Sequence, residues 1–158
     1  MAQDNPKSTA SIAGHPIHPM LVPLPIGFLV GALLTDITYT QSGWWMWAYA
    51  SSWLIGAGIV TALLAALAGF TDFFGDRRIR RLRRAWYHMV GNLVAVVLAI
   101  VNFVIHTRDG AAAVIPLGVT LSALTVLLLL FTGWMGGEMV FRHGVGVRPA
   151  PEQPELEG

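Results

Sequence analysis

The chain has 158 residues, of which 54% are hydrophobic and 12% charged, with a net charge of +1 and a mean hydropathy of +0.59. The charged share is about half that of an ordinary globular domain, which argues against a soluble fold. There is no cysteine, so disulfides, thiolate metal centres and CxxC redox chemistry are excluded.

In chain order, residues 1–13 are polar with a single lysine, Lys7. They lack a small-residue cleavage site after an apolar run, so they are not a signal peptide, and they are expected to be disordered. GHPIHPMLVPLPIG, residues 14–27, follows, with two histidines each before a proline. A bilayer span needs about 20 mostly apolar residues. Four segments qualify: Met20 to Tyr39, Trp45 to Phe70, Trp86 to Ile105 and Val114 to Met135. Proline is tolerated in a first helical turn, so the first regular helix is placed from Pro25 after an irregular approach. Asp36 and Asp72 are read as lying near helix ends, where an acid costs less than at the bilayer centre. No solenoid period and no strand pattern appears, and the tail from 148 to 158, rich in Pro and Glu, reads as disordered. The expectation is one all-α domain over residues 14–147, a four-helix transmembrane bundle with both termini cytoplasmic.

That orientation rests on arginine. GDRRIRRLRRAW, residues 75–86, holds six of them, and with four spans the loop shares a side with both termini. Nine of the ten basic residues then face one side and only Arg108 the other, which the positive-inside rule makes the cytoplasm of a bacterial inner membrane. The run Arg77–Arg84 is read as contacting anionic lipid headgroups and not nucleic acid. Trp44, Trp45, Trp47 and Tyr49 would form one aromatic belt, Trp86 and Tyr87 the other.

The same topology gathers His15, His18, His88 and His143 at the cytoplasmic face, near Asp72, Asp76, Asn92 and Glu138, and leaves His106 alone at the outer face without a histidine partner. His88, Asn92, Ala95, Ala99, Asn102 and His106 are spaced 4, 3, 4, 3, 4, one stripe of a helix, which should face the other helices. Gly58, Ala62, Ala65, Gly69 and Asp72 make a matching stripe. Ordinary close packing accounts for the small residues. Neutral imidazole binds haem iron or a small metal ion once an acceptor fixes its tautomer. The expected site is a b-type haem with His18 and His88 as axial pair, His15 and His143 as alternates, and Asn92 and Glu138 supporting them. The competing expectation is a divalent metal on His15, His18, His88 and Glu138. A third is a structural subunit packing on other membrane proteins through its small-residue faces, with no cofactor. No nucleophile elbow, phosphate loop or HExxH helix is present, so no catalytic residue is assigned.

The paired ends, GHPIHPMLVPLPIG and GWMGGEMVFRHGVGV at 133–147, resemble a bacterial family of short four-span predicted membrane proteins of unknown function. The family pattern is matched here by His15-Pro16, His18-Pro19, Asp72, His88 and Gly136-Gly137-Glu138 through Val147. Pro23 departs from it, standing where many relatives carry a third histidine. The resemblance implies a redox-linked membrane anchor with redox or membrane-protein partners, since relatives occur fused to Rieske-type or cytochrome-type modules.

Overall fold

The computed structural model describes residues 5–147, so the tail expected to be disordered lies outside the described residues. Two short strands, β1 (Ser11–Ile12) and β2 (His15–Pro16), pair antiparallel and lead into a one-turn helix, α1 (Ile17–Leu21). Four long helices follow: α2 (Pro23–Ser42), α3 (Trp45–Gly75), α5 (Arg83–Asp109) and α6 (Val119–His143), with a short α4 (Arg77–Arg81) between α3 and α5. Helix α2 starts at Pro23, not Pro25, because both prolines fit its first turn, whose N–H groups have no helical acceptor anyway. It stops at Gly43, whose left-handed φ of 65° closes a bond to the Tyr39 carbonyl at 2.8 Å. Helix α6 runs two turns past its expected end and stops at Gly144, with Val145 N–H bonding the Met139 carbonyl at 3.1 Å. That is a glycine cap satisfying carbonyls the helix leaves free.

Three stretches are long and apolar enough to cross a membrane: Ile17–Ser42, Trp45–Gly75 and Arg83–His143. The last, 61 residues long, holds both α5 and α6, which pack side by side around a turn at Gly110–Gly118. Each long helix touches two others: α2 packs on α3, α3 on α5, α5 on α6 and α6 on α2. Small residues line these contacts, among them Ala32, Ala65, Ala95 and Ala99, while Leu67, Val97, Leu127 and Leu130 point outward. This is the arrangement expected where lipid, not water, covers the outside. At Gly58 an added Cβ would lie 2.8 Å from the Leu29 side chain, and at Gly91 2.5 Å from Thr132, so both helix hairpins depend on a bare backbone there.

The two hairpins bury the same positions. Helix α2 buries Pro25, Leu29, Ala32 and Asp36, and α5 buries Ala95, Ala99, Asn102 and His106 at identical spacing. Helix α3 buries Ser51, Ile55, Gly58 and Ala65; Gly118 in the turn with Ser122, Thr125 and Thr132 of α6 repeats that spacing too. His88 and His106 follow His18 and Asp36 at the same interval of 70 residues. One helix-hairpin pattern is used twice, which the sequence alone did not reveal.

Residues 5–13, read from composition as disordered, are hydrogen-bonded to the end of α3 and to the turn after α6. Asp72 Oδ1 accepts from Ala10 N at 2.7 Å and from Ser8 Oγ at 2.9 Å, Asp76 Oδ2 accepts from Lys7 N at 3.0 Å, and Pro6 O accepts from Gly146 N at 2.9 Å. The carboxylates at the end of α3 thus hold polar residues that composition alone reads as unstructured. The Arg78 side chain beside Asp76, followed by the backbone N–H groups of Arg78 and Lys7, holds the Asp76 carboxyl far below its usual range against a smaller opposing effect of burial. Because its native value is depressed, the tether it provides is present above the ordinary aspartate range near pH ~3.9 and is lost only as pH falls toward the lowered value.

Candidate functional site

At the arginine-bearing end, the HPIHP segment is shaped by β1–β2 pairing and by Ile17 N–H bonding Ala10 O at 2.9 Å. It places His18 against α3, where Nδ1 bonds the Ala65 carbonyl at 2.8 Å and the ring lies over Gly69; a Cβ there would be 3.0 Å from Nδ1. His88, in the second turn of α5, does the same on α6. Its Nδ1 bonds the Thr132 carbonyl at 2.7 Å and its ring lies over Gly136, where a Cβ would be 3.1 Å from Cε1. In both cases the acceptor carbonyl precedes the glycine by four residues. A carbonyl only accepts, so each Nδ1 carries a hydrogen, and in the neutral ring each Nε2 then presents a lone pair. Among the described residues neither Nε2 has a hydrogen-bond partner.

The two rings lie edge to face, with centres 5.9 Å apart and planes at 87°. Two imidazoles sharing one ion at metal–nitrogen distances of about 2.0–2.1 Å have centres roughly 5–6.5 Å apart, depending on the angle at the metal. The rings border a cavity of about 180 Å³, mostly apolar, whose lining includes Asp72, Met89, Asn92 and Met139. Asn92 bonds the His88 backbone carbonyl at 2.7 Å and accepts from Thr132 Oγ1 at 3.2 Å. It therefore braces the helix and not the imidazole, a role the Thr132 carbonyl takes instead. Nothing in the spacing of His88 and Asn92 signals this, but Gly69 and Gly136, each an open floor for a ring, are visible in the sequence.

The other expected ligands do not join. His15 is exposed, with Nδ1 on the Ala13 carbonyl at 3.2 Å, because β2 turns it away from α3. His143 lies at the end of α6 with Nε2 3.5 Å from Arg84 Nη1. Glu138 is held by Arg84 at 2.9 Å and by Arg142 at 3.2 Å. Among the described residues no group of three or more His, Asp or Glu is placed to hold a metal ion, so the set His15, His18, His88 and Glu138 does not assemble. For haem the donor pair fits and the volume does not. The cavity is below the roughly 300–1,000 Å³ of pockets that take a drug-sized ligand and suits an ion with a few waters of about 30 Å³ each.

At the opposite end a second group is assembled that the sequence reading missed. Asp36, expected near a helix end, is wholly buried, and His106, expected to stand alone, is its partner: Nε2 lies 3.1 Å from Asp36 Oδ1. His106 Nδ1 bonds the Asn102 carbonyl at 3.0 Å, Ser122 Oγ donates to Asp36 Oδ2 at 2.6 Å, and Asn102 Nδ2 donates to Ser122 Oγ at 2.8 Å. An added Cβ at Gly118 would be 2.6 Å from His106 Cε1, so this imidazole also needs a glycine. The missed signal is the repeat: Asp36 holds in α2 the position that His106 holds in α5.

Fold and site together define an all-helical membrane protein with paired polar side chains set between two like hairpins. The chain belongs to the family described as Predicted membrane protein (DUF2231), whose model matches residues 14–149. No curated protein and no solved structure matches it.

Proposed function

We propose that this chain is a four-span membrane protein that binds a redox-active transition metal between His18 and His88. The observation that carries the reading is the matched pair of Nδ1–carbonyl bonds, which leaves Nε2 unpartnered on each of two imidazoles that line one apolar cavity. Imidazole suits copper, iron, zinc and nickel, and thioether sulfur selects Cu(I). With Met89 and Met139 in the same lining, a bare ion is read as copper. A b-type haem is the second reading, favoured by the ring spacing, and it requires α1 or α5 to move outward to admit the macrocycle. Metal analysis and oxidised and reduced optical spectra of the full chain, purified from cells supplied with copper, iron and haem precursor, test this. About one copper per chain without haem bands supports the first reading, and sharp reduced bands with one iron support the second. A folded protein that takes up neither overturns both.

The four spans are taken as α2, α3, α5 and α6, with the termini and the arginine run on the cytoplasmic side of a bacterial inner membrane. The support is the charge asymmetry and the fold-back of the 61-residue stretch. With no native cysteine, single cysteines at Ser42 and Arg77 should label from opposite sides. The run Arg77–Arg84 is read as meeting anionic headgroups or an acidic electron-transfer partner.

A further inference from the structure

The Asp36–His106 pair has a chemistry of its own. Because Nδ1 of His106 faces a carbonyl, it must carry a hydrogen. Nε2 and Asp36 Oδ1 then face each other at 3.1 Å. A carboxylate opposite an imidazole lone pair would set two acceptors together in a site with no exposed surface, so the proton-free state is the higher in energy and needs a further donor to the carboxylate. The heavy-atom geometry calls for one proton on the Nε2–Oδ1 line in the ground state, whether as imidazolium and carboxylate or as imidazole and carboxylic acid. We propose that Asp36 and His106 form an intramembrane proton-binding site, taking up and releasing one proton at the end of the bundle that carries Gly43 and Gly110.

Uptake adds H⁺ to that line and brings the pair from −1 to neutral; release returns H⁺ to water and leaves an Asp36 carboxylate beside neutral His106, with no electron moved. Two features equip the site for both states. Ser122 Oγ donates to Oδ2 at 2.6 Å and stabilises the charged carboxylate when the proton has gone. Asn102 Oδ1 is buried with no donor among the described residues, an acceptor suited to a proton-bearing water. From α3, Ser51 bonds the Ala32 carbonyl at 3.4 Å and brings no charge. The other ionisable groups at this end are Tyr39, Tyr49, Arg108 and Asp109; Arg108 and Asp109 are exposed and lie 3.8 Å from each other. Among the described residues none of the four is hydrogen-bonded to the pair. Isolated ionisable groups of this kind in membrane spans commonly mark proton relays.

The test is pH-dependent infrared difference spectroscopy of the full chain in lipid vesicles, from about pH 4 to 10, a range spanning free aspartate and histidine. Asp36→Asn is the informative variant, since an Asn Nδ2–H can donate to Nε2 and fill the site without a titratable proton. The wild type should show a hydrogen-isotope-sensitive carboxyl or imidazole change that Asp36→Asn lacks. Ser122→Ala, which removes the donor to Asp36 Oδ2, should shift the midpoint of that change. Identical difference spectra in wild type and Asp36→Asn, or an unmoved midpoint in Ser122→Ala, would make the pair a fixed polar tie and overturn the proposal.

Discussion

His88→Ala should reduce metal affinity at least about 100-fold, near 2.7 kcal/mol of binding energy, while the protein still purifies as a folded species. One intramolecular hydrogen bond, to the Thr132 carbonyl, is lost, costing about 0.5–1.5 kcal/mol, which a bundle of this size tolerates. A paired glycine experiment separates ligation from folding. Gly136→Ala pushes a methyl to 3.1 Å from His88 Cε1, whereas at Gly27, away from the cavity, an added methyl meets nothing within 4 Å. Metal titration of the purified variants should therefore show weakened binding in Gly136→Ala and unchanged binding in Gly27→Ala. If His88→Ala binds as the wild type does, His88 is not a ligand.

Asp36→Ala should be among the most destabilising single changes in the chain, by about 3–5 kcal/mol, because it leaves a buried imidazole and hydroxyl without their partner. Asp36→Asn should cost only about 1 kcal/mol or less, since Asn can donate to His106 Nε2 and accept from Ser122 Oγ. Denaturant unfolding in mild detergent measures both. Equal effects of the two substitutions would mean that the hydrogen-bonding complement at this site contributes little to the fold.

The helices were legible because lipid imposes a simple grammar: long apolar runs, small residues on one stripe and arginines at one end. The stripe from His88 to His106 does face the other helices, with Ala95, Ala99, Asn102 and His106 buried. That His18 and His88 share the layer at the arginine-bearing end was also readable, but which histidines come together was not; their ring centres lie 5.9 Å apart. Two things were hidden. The N-terminal residues look disordered by composition, yet Asp72 and Asp76 supply acceptors that no local pattern announces. The hairpin repeat escaped notice because equivalent positions carry unlike residues, Asp36 against His106 and Ser51 against Gly118. Only burial, which depends on spacing and not identity, exposes it. The absence of a partner for His106 was inferred from histidines alone, and the partner was an acid.

X-ray absorption at the edge of the bound metal, on wild-type protein and on His18→Ala, tests the two-imidazole centre most directly. The account predicts outer-shell scattering from two imidazole rings in the wild type and from one in His18→Ala. A bound metal whose spectrum shows no imidazole, or is unchanged by His18→Ala, would contradict it.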